Sequence, residues 1–295
     1  MAEAEPAPVI GVIGGSGIYQ IDGLQNAEWR QVTSPFGEPS DALLCGELDG
    51  QRLVFLPRHG RGHKLSPTDL NFRANIDALK RAGVTEILSM SAVGSLREDL
   101  PPGHFVLVDQ FIDRTFARQK SFFGPGMVAH VSVADPVCGR LGDALEAAAG
   151  ELALPYRRGG TYIVMEGPQF STRAESELYR SWGCDVIGMT NMPEAKLARE
   201  AEICYATVAM VTDYDCWHDG HDDVSVDQVI QTLLGNADKA RALIKQVAPK
   251  LSGRSGPCEK GCHRALDAAV ITQAEARDPA AMARLDAVAG RVLGG

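Results

Sequence analysis

Short apolar runs with no polar alternation recur along the first 215 residues. They are VIGVI at 9–13, RLVFLPRH at 52–59, EILSMSAVGSL at 86–96, HFVLVDQFI at 104–112, TYIVMEGPQF at 161–170, DVIGMT at 185–190 and CYATVAMVTDYD at 204–215. Strands written this way are covered on both faces. Between them lie stretches with helical spacing. Phe72, Ile76 and Leu79 share one face at 68–82. Thr172 and Glu175 form a capping-box pattern before 172–182, and Asn191 and Glu194 repeat it at 192–202 with Pro193 in the first turn. The longest stripe starts at Ser225, with Gln228 three residues on: Val226, Val229, Ile230, Leu233, Leu234, Ala237, Ala240 and Ile244. Asp278-Pro279 starts a last helix, with Met282, Leu285, Val288 and Val292 on one side.

Strands and helices intermix over 9–250, and there is no internal repeat. The pattern predicts an α/β fold: a single domain with a central mixed β-sheet flanked by helices. The acidic, Pro/Ala-rich residues 1–8 read as a disordered tail. The one composition shift is LSGRSGPCEKG at 251–261, a polar, Gly-rich linker, so 251–295 reads as an appendage of linker and helical tail.

Composition narrows the classes. The 295 residues are 45% apolar and 23% charged, which excludes wholesale disorder. The net charge is −9 and Lys/Arg do not cluster, which argues against a nucleic-acid groove. No apolar run approaches the ~18 residues of a membrane helix, and the start lacks a signal-peptide pattern. The seven cysteines are odd in number and scattered, which points to a reducing cytoplasm. Most have apolar neighbours and read as small hydrophobes. Cys258 and Cys262 are the exception: four apart in a polar segment, they are expected as free thiols able to bond on oxidation.

Candidate chemistry sits at the strand ends. Gly14-Gly15-Ser16-Gly17 follows the first strand and is either an oxyanion cradle or a plain turn. It is neither a dinucleotide fingerprint nor a P-loop. Arg58-His59-Gly60-Arg61-Gly62-His63 is either an anion grip or a solvated basic turn. Ser89 to Ser95 leaves room for a ligand at a strand end. Phe170 and Ser171 precede a capped helix, as a base-stacking ring with a hydroxyl or as a core ring with a cap. Thr212-Asp213-Tyr214-Asp215 closes the most apolar strand. On an extended chain both carboxyls point to one side, and close like charges beside apolar walls raise a pKa, which suits a general acid. A polar loop start is the alternative. His218, His221, Asp222 and Asp223 read as a solvated loop before a metal site.

Eight segments in order over 9 to about 248 carry a resemblance: GVIGGSGIY, LPRHGRGH, NFRANIDALK, SAVGSLRED, DQFIDRT, EGPQFSTRAES, IGMTNMPEAKLA and CYATVAMVTDYDCW. Together they resemble the methylthioadenosine phosphorylases, within the trimeric purine nucleoside phosphorylases. The resemblance implies phosphorolysis of 5′-deoxy-5′-methylthioadenosine to adenine and 5-methylthioribose 1-phosphate. It implies no organic cofactor and no metal, inorganic phosphate being a co-substrate. It implies a homotrimer, or a hexamer of two trimers. Carried over, phosphate meets Ser16, Arg58, His59, Ser91, Ala92 and Thr190. The ribose lies over Met189, Phe170 stacks near the base with Ser171 in its network, and Thr212, Asp213 and Asp215 face the purine. Asp213 is the implied proton donor to N7 and Asp215 the reader of the 6-amino group. The thiomethyl slot is implied at Val226, Val229 and Ile230, residues that core packing explains equally well, with His63 and His130 as further wall residues. Within the same class, a broad purine nucleoside phosphorylase is the alternative. A nucleosidase would not need Ser16, Arg58 and His59 together, and a non-catalytic sensor would not need the acidic pair.

Overall fold

The computed structural model describes residues 7–15, 17–218, 226–252 and 258–294, and only the backbone of 226–231 and 233. In chain order the elements are β1 (Ile10–Gly14), β2 (Gln25–Arg30), β3 (Leu43–Leu48), β4 (Gln51–Pro57), α1 (Phe72–Arg81), β5 (Glu86–Ser95), β6 (Phe105–Val108), β7 (Gln110–Asp113) and α2 (Gly139–Glu151). They continue as β8 (Tyr156–Arg158), β9 (Thr161–Val164), α3 (Arg173–Ser181), β10 (Val186–Gly188), α4 (Asn191–Glu200), β11 (Cys204–Asp213), α5 (Val226–Ser252), α6 (Pro279–Arg284) and α7 (Asp286–Leu293). Among the described residues no helix is long and apolar enough to cross a membrane.

The sheet is mixed, as the pattern predicts, and it forks at β5. On one side the order runs β5-β1-β4-β3-β2. β1 pairs in parallel with the first part of β5, from Ile10 opposite Glu86 to Ile13 opposite Ser89. β10 meets the far end of the same edge antiparallel, with Ile187 opposite Gly94, and leads on through β9 to β7. The other edge of β5 is taken by β11, which pairs with β6, and β6 with β8. Between Ser89 and Gly94 the edge facing β1 and β10 thus has no strand partner. Crevices at such switch points are where α/β sheets take ligands.

Both faces are covered. Ile13, Ile87 and Val93 pack with Ile76, Leu79, Leu197 and Val288 from α1, α4 and α7. Leu88, Met90 and Met210 pack with Leu141, Leu145, Ile244 and Val247 from α2 and α5. Two-sided burial is why the strands lack alternation.

The structure departs from the pattern at particular places. β2 was invisible because all six of its residues are exposed. The run at 104–112 is two strands, β6 and β7, that join different arms of the sheet, and the Asp109 carboxylate between them accepts from the Gly160 N–H at 3.0 Å. α1 starts at Phe72, where Asn71 caps the Ala74 N–H at 3.1 Å. The Thr172–Glu175 capping box forms. The Asn191–Glu194 box does not. Asn191 points inward to Tyr205 and Thr207 at 2.6 Å each, and Glu194 meets buried Arg58. Glu194 is drawn instead to the buried Arg58 guanidinium, whose charge would otherwise be uncompensated. In α5, Ala237, Ala240 and Ile244 are buried, but Leu234 is 65% exposed and leaves the stripe. The Ser225 cap lies outside the described residues.

The tail after residue 250 is not an appendage in space. Its predicted helix breaks at Leu285 into α6 and α7, and Ala281, Leu285, Val288 and Ala289 join the core, with Met282 and Val292 packed against its margin. Glu202 is buried and accepts the Leu266 N–H at 2.9 Å and the Arg291 guanidinium at 2.6 Å. Low hydropathy hid this, because ion pairs and small alanines do much of the anchoring.

Glu200, at the end of α4, carries a pH consequence. Burial pushes its carboxyl up to about 7, against hydrogen bonds from the Phe122 N–H and the Ser121 hydroxyl. A folded pKa above the unfolded one means the folded state holds the proton more tightly. The contribution to stability is full below about pH 4 and is lost as pH rises through about 7. Glu200→Gln should therefore be more stable than the parent at pH 8, by on the order of 2–3 kcal/mol, with no gain near pH 4. Denaturant unfolding at both values checks this, and equal gains at both would refute it.

Candidate active site

The crevice beside β5 collects the ends of several strands. Ser91 sits in the unpaired stretch of β5, where its Oγ lies 3.0 Å from the Tyr162 hydroxyl and 3.2 Å from Thr190 Oγ1. The antiparallel entry of β10 brings Thr190 there. Tyr162 was missed in the sequence. The available signal was a tyrosine in a buried run, whose hydroxyl must find a partner. Burial raises its pKa, so it stays a neutral hydroxyl near pH 7. Gly188 lets its ring approach: a Cβ there would lie 2.0 Å from the Tyr162 hydroxyl. Ala92 follows, half-buried. Three hydroxyls gathered in a crevice can donate to an oxyanion.

Arg58 and His59 follow β4 directly, and the Arg58 N–H binds the Gly14 carbonyl at 2.9 Å, tying this turn to the end of β1. Ser16 itself lies outside the described residues. Arg58 is not the solvated cation of a basic turn. It is 2% exposed, and its Nε lies 3.0 Å from Glu194 Oε2. Its Nη2 donates to Ser89 Oγ at 2.6 Å and its Nη1 to the Met90 carbonyl at 2.9 Å. Burial works to lower its pKa, but the Glu194 carboxylate raises it above the ordinary value, so the charge is retained. The guanidinium thereby fills the unpaired edge of β5 just before Ser91. Arg61 is the exposed arginine of the motif and pairs with Asp41. His59 stacks on His63, with ring centres 4.3 Å apart. Burial, then the Arg58 charge, pushes its pKa down to about 4, so it is neutral at pH 7. The Leu65 carbonyl, 2.9 Å from Nδ1, can only accept, which assigns the proton to Nδ1 and leaves Nε2 as an acceptor.

The acidic pair lies at the end of β11, but not as an extended chain would place it. β11 ends at Asp213. Asp215 opens a short 3-10 turn with φ 53°. The turn folds back so that the Asp215 N–H donates to Asp213 Oδ1 at 2.9 Å. Thr212 Oγ1 lies 2.7 Å from Asp213 Oδ2. Burial raises the Asp213 pKa against both of these bonds, which favours the protonated acid. Asp215 is buried, and the Ser171 hydroxyl donates to its carboxylate at 3.0 Å. The capped start of α3 therefore meets the acidic pair. Phe170, next to it, is 50% exposed, which excludes the core-ring reading and leaves a flat apolar face open.

A further buried cation, Arg118, was not singled out in the sequence. Its Nη1 donates to the Met189 and Met192 carbonyls at 2.6 Å each, and its Nε to Glu166 Oε1 at 3.1 Å. Glu166 also takes the Phe116 N–H at 2.6 Å. One guanidinium thus fixes Met189 and the loop leading to Phe170. His63 and His130 are exposed. His218 approaches Glu98 at 3.2 Å and stacks on Tyr214, as a loop residue would. His221, Asp222 and Asp223 lie outside the described residues, as do the side chains of Val226, Val229 and Ile230.

A family model described as the phosphorylase superfamily matches residues 9–249. The chain belongs to this superfamily. Among its relatives in the phosphorylase superfamily is the S-methyl-5′-thioadenosine phosphorylase of Rhodospirillum rubrum, 67% identical over 294 residues and covering 100% of both chains. Solved structures agree. A methylthioadenosine phosphorylase from an Antarctic soil metagenomic library superposes with a TM-score of 0.90 at 49% identity, over 96% of this chain and 99% of that one. The methylthioadenosine phosphorylase of Schistosoma mansoni in complex with adenine gives 0.79 at 37% identity, over 84% and 93%.

Proposed function

We propose that this member of the phosphorylase superfamily cleaves 5′-deoxy-5′-methylthioadenosine with inorganic phosphate, releasing adenine and 5-methylthioribose 1-phosphate. The observation that carries the reading is the 67% identity, end to end, with a relative of that activity. The geometry supports it: a hydroxyl cluster on β5 and a protonated-acid candidate at the neighbouring end of β11. In this reading a phosphate oxygen forms a bond to the anomeric carbon as the bond to the purine nitrogen breaks. Ser91, Thr190, the Ala92 segment and Ser16 hold the phosphate. Neutral His59 accepts, at Nε2, a hydrogen bond from the O–H of monohydrogen phosphate, and Arg58 supplies positive field from beneath. Met189 underlies the ribose and Phe170 stacks near the base. Asp213 gives its proton to N7 of the leaving purine, and Asp215, steadied by Ser171, accepts from the 6-amino group. Val226, Val229 and Ile230 of α5 line the thiomethyl slot, beside a neighbouring subunit of a homotrimer. Holding both reactants aligned supplies a large share of the rate, ~7–11 kcal/mol at best.

The test is adenine release from methylthioadenosine with and without phosphate. Phosphate-dependent release is expected. Release without phosphate would make the chain a nucleosidase, and no release would make it a sensor. Comparable turnover of inosine would favour the broad phosphorylase. Sedimentation at micromolar concentration should give the mass of three chains.

A further inference from the structure

Four of the seven cysteines meet at one buried point, at the start of β11, the strand whose far end carries Asp213. Cys138, Cys204, Cys258 and Cys262 place their sulfurs within 4.8 Å of one another. They are at most 4% exposed. They come from three parts of the chain. Cys138 is the residue before the 13-residue helix α2, Cys204 is the first residue of β11, and the other two belong to the tail. A left-handed turn at Gly261, closed by its N–H to the Cys258 carbonyl at 2.8 Å, brings the two tail cysteines to the same side. The sequence placed Cys258 and Cys262 in a polar segment as free thiols; they are free of disulfides, and they are buried.

The separations do not describe disulfides. Cys258 Sγ lies 3.5 Å from Cys138 Sγ and 3.4 Å from Cys262 Sγ, so it has no single partner, and both distances far exceed the ~2.05 Å of a bond. They are close to the edges of a thiolate tetrahedron. With metal–sulfur bonds of about 2.3 Å, tetrahedral geometry sets the sulfurs roughly 3.8 Å apart. Four sulfurs on a tetrahedral scale and no open position is the pattern of a structural zinc site.

We propose that Cys138, Cys204, Cys258 and Cys262 bind one zinc ion that staples the C-terminal segment to the start of β11 and of α2. Binding converts four thiols to thiolates and releases four protons, leaving a dianionic centre. The surroundings suit that charge. Cys138 sits at the positive end of α2. Arg140, two residues on, is the nearest cation in the chain to Cys138 and pairs with Glu86. The site lies away from the residues assigned to the reaction, so its role is to hold the tail. It departs from the absence of a metal that the resemblance implies.

The test uses the full chain, purified anaerobically from zinc-containing medium without chelators. Elemental analysis should find one zinc per chain. Refolding with cobalt(II) in place of zinc should give the strong near-ultraviolet sulfur-to-cobalt absorption and the red bands of a tetrahedral four-thiolate site. Cys262→Ser and Cys258→Ser should lose the stoichiometric metal and unfold at a lower temperature. The cobalt spectrum of the parent chain decides the matter even if the variants do not fold. Less than a tenth of an ion per chain together with no cobalt–sulfur band would overturn the proposal. So would mass spectrometry showing stoichiometric disulfides among these four residues after anaerobic handling.

Discussion

Asp213→Asn should lower the turnover of methylthioadenosine by roughly 10²–10⁴-fold, the span of general acid catalysis. The change keeps the shape and the oxygen that takes the Asp215 N–H, but removes the transferable proton. Asp213 is set up for the role. Its pKa is raised by burial, and it is held on the Thr212 side and on the Asp215 side by separate bonds. Asp215→Asn should act differently. The amide offers a donor where a carboxylate accepted, so adenine-type substrates lose and 6-oxo substrates gain in the ratio of their kcat/KM values. Steady-state kinetics with methylthioadenosine and methylthioinosine separates the two. Near-normal turnover in Asp213→Asn, or an unchanged ratio in Asp215→Asn, would refute the assignment of roles while leaving the superfamily untouched.

The largest stability loss is expected at Arg58 and Glu194. Both side chains are 3% exposed, so truncating either leaves an uncompensated buried charge. Arg58→Ala and Glu194→Ala should each lose about 3–5 kcal/mol of unfolding free energy. The double variant Arg58→Met with Glu194→Leu should lose much less than the sum, because no charge is stranded. Additive losses would show that the pair does not act as a unit. Arg58→Lys separates stability from phosphate binding. It keeps the charge while losing the fork that serves Ser89, Met90 and Glu194 at once. It should fold and show a raised KM for phosphate with a smaller change for the nucleoside. If phosphate kinetics hold, Arg58 only braces β5 beneath Ser91.

Much of the framework was legible one residue at a time. Unbroken apolar runs become two-sided strands because burial on both faces is a property of the run itself. The Thr172–Glu175 box works because its two bonds lie within one turn of chain. The same local logic failed at Asn191 and Glu194. Their competitors, Arg58, Tyr205 and Thr207, come from β4 and β11, so the sequence window held no trace of them. β2 escaped because an edge strand with every residue exposed carries no hydropathy signal.

The candidate site divides along the same line. Ser91, Ser171, Asp213 and Asp215 could be read as donors and acids from chemistry and spacing, whereas Thr190 came in only with the resemblance. The sequence by itself therefore determined the α/β class, the inventory of polar groups and, through ordered motifs, the resemblance to nucleoside phosphorylases. Only the tertiary structure decided which of those groups share a crevice. It buried Arg58 against Glu194, turned Asp215 back onto Asp213, supplied Tyr162 and Arg118, and drew four distant cysteines together. The reason is physical. Periodicity and capping are energies between near neighbours in the chain, whereas a buried charge or thiol is satisfied by whatever the sheet topology brings within about 3 Å, whichever segment it comes from.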